Sequence, residues 1–375
     1  MKKMRLAWIA LMSIATTGYA QSSLTLYGAL DVWVGQQRAR GNASATVLNS
    51  GLNPNLLGLA GQEDLGGGLR AGFVLEAQPL VDTGTLAQGG KFFGRQSVVY
   101  LSGSWGRLNL GRLHTAGRAF GIRHTATGWL STDALGQLEF AMGAGISPAT
   151  NVDGLGGRVN NAVSYETPQL GGFSASVLLS AAEGGPLSAG AAKVTIAALS
   201  YAQGPFSADV VLSVLPAMAA SQIQQRDLGV GATYELGAVK LFAAAQTKTG
   251  WAVANVGATT PLALSKATDR MFVVGAQLVL GPQGRLGASI GRLNVAAAHR
   301  SLRPANVNAP FASVLDDAQA WSVSYTYLLS KRTSLFTAYG TLDNAALGTA
   351  SLIPSQRPLA GGDSSILATG IRHTF

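Results

Sequence analysis

Few residues in this sequence could carry covalent or redox chemistry. There is no cysteine, and the four histidines (His114, His124, His299, His373) are scattered. No H-E-x-x-H or paired-cysteine spacing offers a metal site, and no G-x-S-x-G elbow offers a nucleophile. The glycine run at 66–68 is not followed by Gly-Lys-Ser/Thr, so it reads as a turn and not a phosphate cradle. What remains is fixed charge. Arg95, Arg158 and Lys91 form a candidate basic set. Asp133, Glu139 and Asp153 form a candidate acidic set, interleaved with Arg118 and Arg123. Arginine and lysine in a narrow, low-dielectric passage attract anions and repel cations. No cofactor and no reaction is expected, and whether these charges act together as a field depends on the fold. A field needs elements that hold the charges at its edge.

The N-terminus says where those elements fold. Lys2, Lys3 and Arg5 precede an apolar stretch from Leu6 to Ala15, and Gly18-Tyr19-Ala20 supplies small residues for cleavage. This pattern is a secretory signal peptide over 1–20, with an apolar part too short for a good membrane span. The fold should then occupy 21–375 as a single domain. The chain carries +9 overall, and without the three basic residues of 1–20 it carries +6. That balance suits contact with anionic lipopolysaccharide as well as with anionic solutes. An exported chain without cysteine has no disulfides to stabilise it. Only 12% of its residues are charged, against a soluble norm near 25%. Beyond residue 20 no run of 18 apolar residues exists, so no transmembrane helix is expected. High apolar content without helical spans points to a closed barrel, in which every backbone group finds an inter-strand partner inside lipid.

Alternation supports the same architecture. In 24–34, Leu24, Leu26, Leu30, Val32 and Val34 oppose Thr25, Tyr27, Ala29, Asp31 and Trp33. In 173–180, Phe173, Ala175, Val177 and Leu179 oppose Ser174, Ser176, Leu178 and Ser180. The final segment puts Leu367, Thr369, Ile371, His373 and Phe375 on a lipid face and leaves Arg372 toward the lumen, far from any constriction. Short turns are expected at 63–68, 102–106, 167–172, 203–206, 234–238, 280–284 and 329–333. Long loops are expected near 35–54, 78–91, 114–156, 181–191, 217–223, 249–267, 295–316 and 342–364. This regular alternation predicts an all-β transmembrane antiparallel barrel of about 16 strands, with short periplasmic turns and long extracellular loops. Tyr100, Trp105, Tyr165, Phe173, Tyr201, Phe206, Tyr234, Tyr327 and Phe375 flank the short turns and read as an interfacial girdle. Phe375 should end the strand that closes the barrel against 24–34.

Several stretches together resemble the Gram-negative general porins, which are trimeric barrels with a water-filled pore. They include QSSLTLYGALD at 21–31, GLAGQEDLGGGLRAGF at 58–73 and DTGTLAQGGKFFGRQ at 82–96. YLSGSWGRLNLGR at 100–112, GRVNNAVSYETPQLGGF at 157–173, LSKRTSLFTAYG at 329–340 and GIRHTF at 370–375 complete the set. The resemblance implies that the third long loop, about 114–156, folds into the barrel. It also implies that Arg95 and Arg158 point into the constriction, opposite acids on that loop. A third family arginine falls at Leu56, which weakens the positive wall. An arginine at the position of Arg112 lies at the subunit interface in the family and pairs with an acid of a neighbour, for which Asp82 and Glu76 are candidates here. The resemblance further implies a homotrimer in outer-membrane lipid, assembled by the barrel-insertion machinery with Phe375 in its recognition signal. Solutes would be small hydrophilic molecules and ions, with no role for nucleic acid.

Three other readings make distinct expectations. A membrane-embedded hydrolase needs a serine, an acid and a histidine to meet in space. An adhesive barrel needs bulky side chains filling the lumen, whereas Gly229, Gly231 and Thr233 suggest an open one. A sugar-specific channel needs an aromatic track, for which Trp129 and Trp251 are the loop candidates.

Overall fold

The computed structural model describes residues 23–142, 157–181, 193–215, 225–250, 252–254, 263–304, 313–353 and 356–375. Its strands are β1 (Ser23–Ala39), β2 (Ala45–Ser50), β3 (Leu56–Gly66), β4 (Leu69–Ala77), β5 (Gln96–Gly103) and β6 (Gly106–His114). Two helices follow, α1 (Ala116–Arg123) and α2 (Ala134–Ala141). The wall continues with β7 (Arg158–Glu166), β8 (Phe173–Ser180), β9 (Thr195–Gln203), β10 (Phe206–Leu215), β11 (Gln225–Leu236) and β12 (Val239–Thr249). Short β13 (Ala252–Ala254) and β14 (Ala263–Leu264) precede β15 (Thr268–Leu280) and β16 (Gly284–Asn294). Then come β17 (Arg303–Pro304), β18 (Ala318–Leu328), β19 (Thr333–Asn344) and β20 (Asp363–Thr374). β13, β14 and β17 form a small separate sheet.

The main sheet has 17 segments, and every pairing is antiparallel. β2 and β3 both pair with β1 and share one stave, so the closed barrel has 16 staves. The predicted short turns all join neighbouring strands. Of the predicted long loops, 78–91 leaves the wall as expected, 217–223 lies outside the described residues, and the others beyond 91 are described only in part, but the first differs. β1 continues to Ala39 and turns at once into β2, so 35–54 is mostly strand. The chain leaves the wall instead at 51–55, between β2 and β3.

Closure is by β20 on β1, with Ala29↔Thr374 through Ala39↔Ser364. The closing register is thus offset by five residues from the expected 24–34, because β20 runs out at Phe375 opposite Gly28. Phe375 adds a reciprocal pair of backbone bonds with Gly28, at 2.9 and 3.0 Å. Faces follow the alternation. Leu24, Leu26, Val34, Leu367 and Ile371 are exposed, while Ala29, Asp31, Trp33, Ile366 and Ala368 are buried. An apolar exterior over a polar and small-residue interior is what lipid selects. Trp105, Phe173, Phe206, Tyr234, Tyr327 and Phe375 are exposed, as a girdle requires. Tyr100 is not among them. It is buried in the lumen, where its hydroxyl donates to Gln62 and the Arg107 guanidinium lies over its ring.

The largest buried apolar side chains include Phe120, Leu135, Leu138 and Met142, all from the third loop. They pack on the inner wall, with α1 on β9–β11 and α2 on β15, β16, β18 and β19. Each buried side chain of this size contributes about 1.5–3 kcal/mol. The loop is therefore a second layer inside the barrel. The wall accommodates it with glycine: at Gly287 a Cβ would stand 2.6 Å from Ala126 O, and at Gly340 one would stand 2.5 Å from Thr132 O. Gly231, expected to leave the lumen open, is covered by His124.

Candidate functional site

The site forms where the third loop leaves β6 and crosses to the opposite wall. Thr115 caps α1, its hydroxyl accepting from Arg118 N at 3.2 Å. The cap fixes the first helical turn and turns Arg118 inward. Arg95 ends the loop after β4, its amide bonded to Glu76 O at 3.0 Å and its Nε 3.3 Å from Glu76 Oε2. Arg158 opens β7 opposite His114. The three guanidinium groups lie within electrostatic reach of one another and of Glu76. Their residues are 6%, 7% and 5% exposed for Arg95, Arg118 and Arg158. Glu76 also accepts from the Tyr27 hydroxyl at 2.9 Å.

This cluster is short of acceptors. Arg95 Nη1, Arg118 Nε, and Arg158 Nε and Nη2 are buried without a hydrogen-bond partner among the described residues. A buried cation without a counter-charge is costly. Burial first, and then repulsion from Arg95, push the Arg118 guanidinium down to about 10, with Glu76 and Glu139 opposing the drop. It remains cationic at neutral pH. Sequence reasoning set Arg118 against the acids of its own loop, whereas the fold joins it to the wall arginines. Its position at N3 of a helix capped by Thr115 is the signal that could have found it.

The other expected residues fare differently. Lys91 is exposed on the loop after β4, beside exposed Phe92, and lies outside the cluster. Asp133 is wholly buried and faces no water. It accepts from Thr127 N and Oγ1, Leu135 N and Ser289 Oγ at 2.8–3.0 Å, so it stitches the loop to itself and to β16. Burial raises its pKa above the ordinary carboxylate range. Glu139 is buried on α2, accepts from Gln246 Nε2 of β12 at 2.5 Å and lies within electrostatic reach of Arg118. Asp153 and Trp251 lie outside the described residues. Trp129 is no part of a sugar track: it is buried, its ring 3.8 Å from that of Phe336 and its Nε1 donating to Thr326.

Arg112 pairs with Ser97 on the wall. It is buried within the single chain, with Nε donating to Gly94 O at 2.8 Å and Nη1 to Asn160. A register shift between β6 and β7, with Asn161 at positive φ, turns the chain there. Glu76 is committed to Arg95 and Tyr27, and Asp82 accepts from Ser50. Leu56 pairs with Ala29 on the lumen side, so the missing family arginine leaves an apolar patch there. Arg372 faces the lumen, but it is not remote from the cluster. It is ion-paired to Asp31 at 2.8 Å and its charge acts on Arg95.

Among the described residues no group of His, Asp and Glu could hold a metal ion. The arrangement is a lined passage with fixed cations, narrowed by a loop that its own wall holds in place.

Comparison with known proteins gives the same answer. The family profile described as Gram-negative porin matches residues 7–347. The outer membrane porin protein 32 of Delftia acidovorans is 29% identical over 99% of this chain and 100% of its own. The structure of the anion-selective porin from Comamonas acidovorans superposes with a TM-score of 0.75 at 27% identity, covering 95% of this chain and 100% of that one. The trimer form of OmpT of Vibrio cholerae shares the fold, with a TM-score of 0.61 at 10% identity over 94% and 99% of the two chains. A closed 16-stranded wall, an inward third loop and a cluster of lumenal arginines are thus found in a chain that belongs to the Gram-negative porin family, outer-membrane channels for passive diffusion of small hydrophilic solutes.

Proposed function

We propose that this porin favours anions, and that Arg95, Arg158 and Arg118 provide the preference. The observation that carries the proposal is that, among the described residues, four guanidinium nitrogens of these arginines are buried without a hydrogen-bond partner, although Glu76 and Glu139 are near. A passing anion supplies acceptors that the described residues do not. The anion-selective relative from Comamonas acidovorans supports the reading. Lys91 contributes at most to the outer field, and Glu139 tempers Arg118. Asp153 is proposed as a loop acid of the constriction.

The same proposal includes cleavage after Ala20 and one barrel domain over 21–375. It includes a homotrimer in lipopolysaccharide-bearing lipid, inserted by the barrel machinery with Phe375 as part of the signal. Arg112 would serve the interface indirectly, by holding the loop after β4 through Gly94. The channel has no catalytic role in this reading, and a serine-reactive probe should leave it unlabelled.

The test is a planar bilayer holding the mature protein under a salt gradient. The reversal potential should have the anion-selective sign. Arg95→Gln and Arg158→Gln should each move it toward zero while ohmic steps persist. A cation-selective potential in the wild type would overturn the proposal and leave the fold intact.

A further inference from the structure

The aperture of a porin depends on where its inward loop comes to rest, and here the far end of that loop rests on an unusual support. The second stave breaks at 51–55, between β2 and β3. Asn53 in this break reads the tip of the third loop with both ends of its amide. Its Nδ2 donates to Gly128 O at 2.6 Å, and its Oδ1 accepts from Leu130 N at 2.9 Å. Ser131 N adds a bond to Leu52 O at 3.3 Å.

The break is itself held from behind. Asp31 of β1 is 1% exposed. Its carboxylate accepts from Gly51 N at 2.6 Å, Leu52 N at 2.9 Å and Asn53 N at 3.2 Å. Its own amide donates to Asn55 Oδ1 at 2.7 Å, closing the bend. The charge of this buried carboxylate is met by Arg372 Nη1 at 2.8 Å, from β20. A buried carboxylate persists only with such partners. Arg372 reaches Asp31 because the two are register partners across the seam that closes the barrel.

We infer that Asn53, Asp31 and Arg372 are positioning residues for the pore: the closing strand orients Arg372, Arg372 and Asp31 fix the 51–55 bend, and Asn53 on that bend fixes the loop tip and hence the aperture. The inference rests on the channel function and not on anion preference. It assigns the conductance to residues outside the arginine cluster, and it ties the final aperture to closure of the barrel by its last strand.

Asn53→Ala removes two hydrogen bonds from the loop tip. At about 1 kcal/mol each, this raises the population of detached tips roughly thirtyfold. The expected record in a planar bilayer is several-fold greater open-channel noise and a higher mean conductance. The thermal unfolding of the barrel should be unchanged, since no wall bond is lost. Asn53→Asp keeps the acceptor for Leu130 N and loses the donor to Gly128 O, so it should fall between. Arg372→Gln should reproduce the noise, and adding it to Asp31→Asn should bring no further increase, because both act through one carboxylate.

Because the chain has no cysteine, an Asn53→Cys, Leu130→Cys pair gives a clean switch. Oxidised channels should be quiet and reduced ones noisy. A folded Asn53→Ala channel with wild-type conductance and noise would overturn the inference, as would a cysteine pair whose record ignores reductant. If no variant conducts, and the wild type does not conduct either, it is the channel reading that fails.

Discussion

At the scale of the residue, a side chain's worth here depends on which face of the wall and which end of the loop it occupies. Asp133 and Arg118 sit in one loop. Asp133 is fully bonded to the loop and to Ser289 of β16, and Arg118 joins a cluster short of acceptors among the described residues. Glycine acts by what it leaves out. Gly287→Ala would put a methyl group 2.6 Å from Ala126 O and 2.7 Å from Thr127 Cα, both backbone atoms that cannot step aside cheaply. Overpacking of this kind costs about 1–3 kcal/mol. The barrel should still form, since Gly287 keeps its place between β15 and β18, but the third loop should lose protection from thermolysin. Equal protection in variant and wild type would refute the reading that wall glycines seat the loop.

At the scale of the element, the third loop is anchored at several points along its length. α1 is held by the Arg123–Asp209 ion pair and by buried His124. The tip is held by Trp129 and Asn53, and α2 by apolar packing. Trp129→Ala should cost about 3 kcal/mol of seating, which is near a hundredfold in loop opening and readable as cleavage rate in the folded barrel. His124 gives the loop a pH dependence. Its ring is buried, with Nδ1 on Phe120 O at 2.9 Å and Nε2 3.6 Å from Asp209. Burial pushes its pKa below the ordinary value near 6.5, although the Phe120 bond and Asp209 pull the other way. The detached loop therefore binds the proton more readily than the seated one. Seating is complete above about pH 6.5 and is lost as pH falls through the lowered pKa. Open-channel noise should rise on acidification in the wild type and stay flat in His124→Gln.

At the scale of the whole molecule, one seam joins assembly to function. β20 closes the barrel, Phe375 locks onto Gly28, and three residues back Arg372 reaches Asp31. The arginine field is a property of the whole passage, so it should obey screening. The Debye length shrinks from about 10 Å at 0.1 M salt to about 3 Å at 1 M. The anion preference should therefore be larger in dilute salt, and a reversal potential independent of mean ionic strength would argue for selection by size alone. Arg112→Ala frees the Gly94 carbonyl and loosens the loop after β4. If that loop serves a trimer, the oligomer's thermal stability in detergent should fall while the monomer barrel stays folded.

The wall was legible from the sequence because a membrane barrel imposes strict period-two alternation and regular turns, and both are local properties. Alternation alone placed Arg372 toward the lumen and Leu367, Ile371 and Phe375 outward. What it could not supply was the third dimension. The β2–β3 break depends on Asp31 meeting amides some 20 residues away in sequence. The burial of Arg112 depends on Gly94 and Asn160, which belong to other segments of the chain. Arg118 and Asp133 exchanged their expected importance because α1 and the wall meet only after the barrel closes. Pattern determines which residues face lipid, since every strand meets the same solvent. Only the tertiary structure decides which charges meet, since those contacts join segments that the sequence holds far apart.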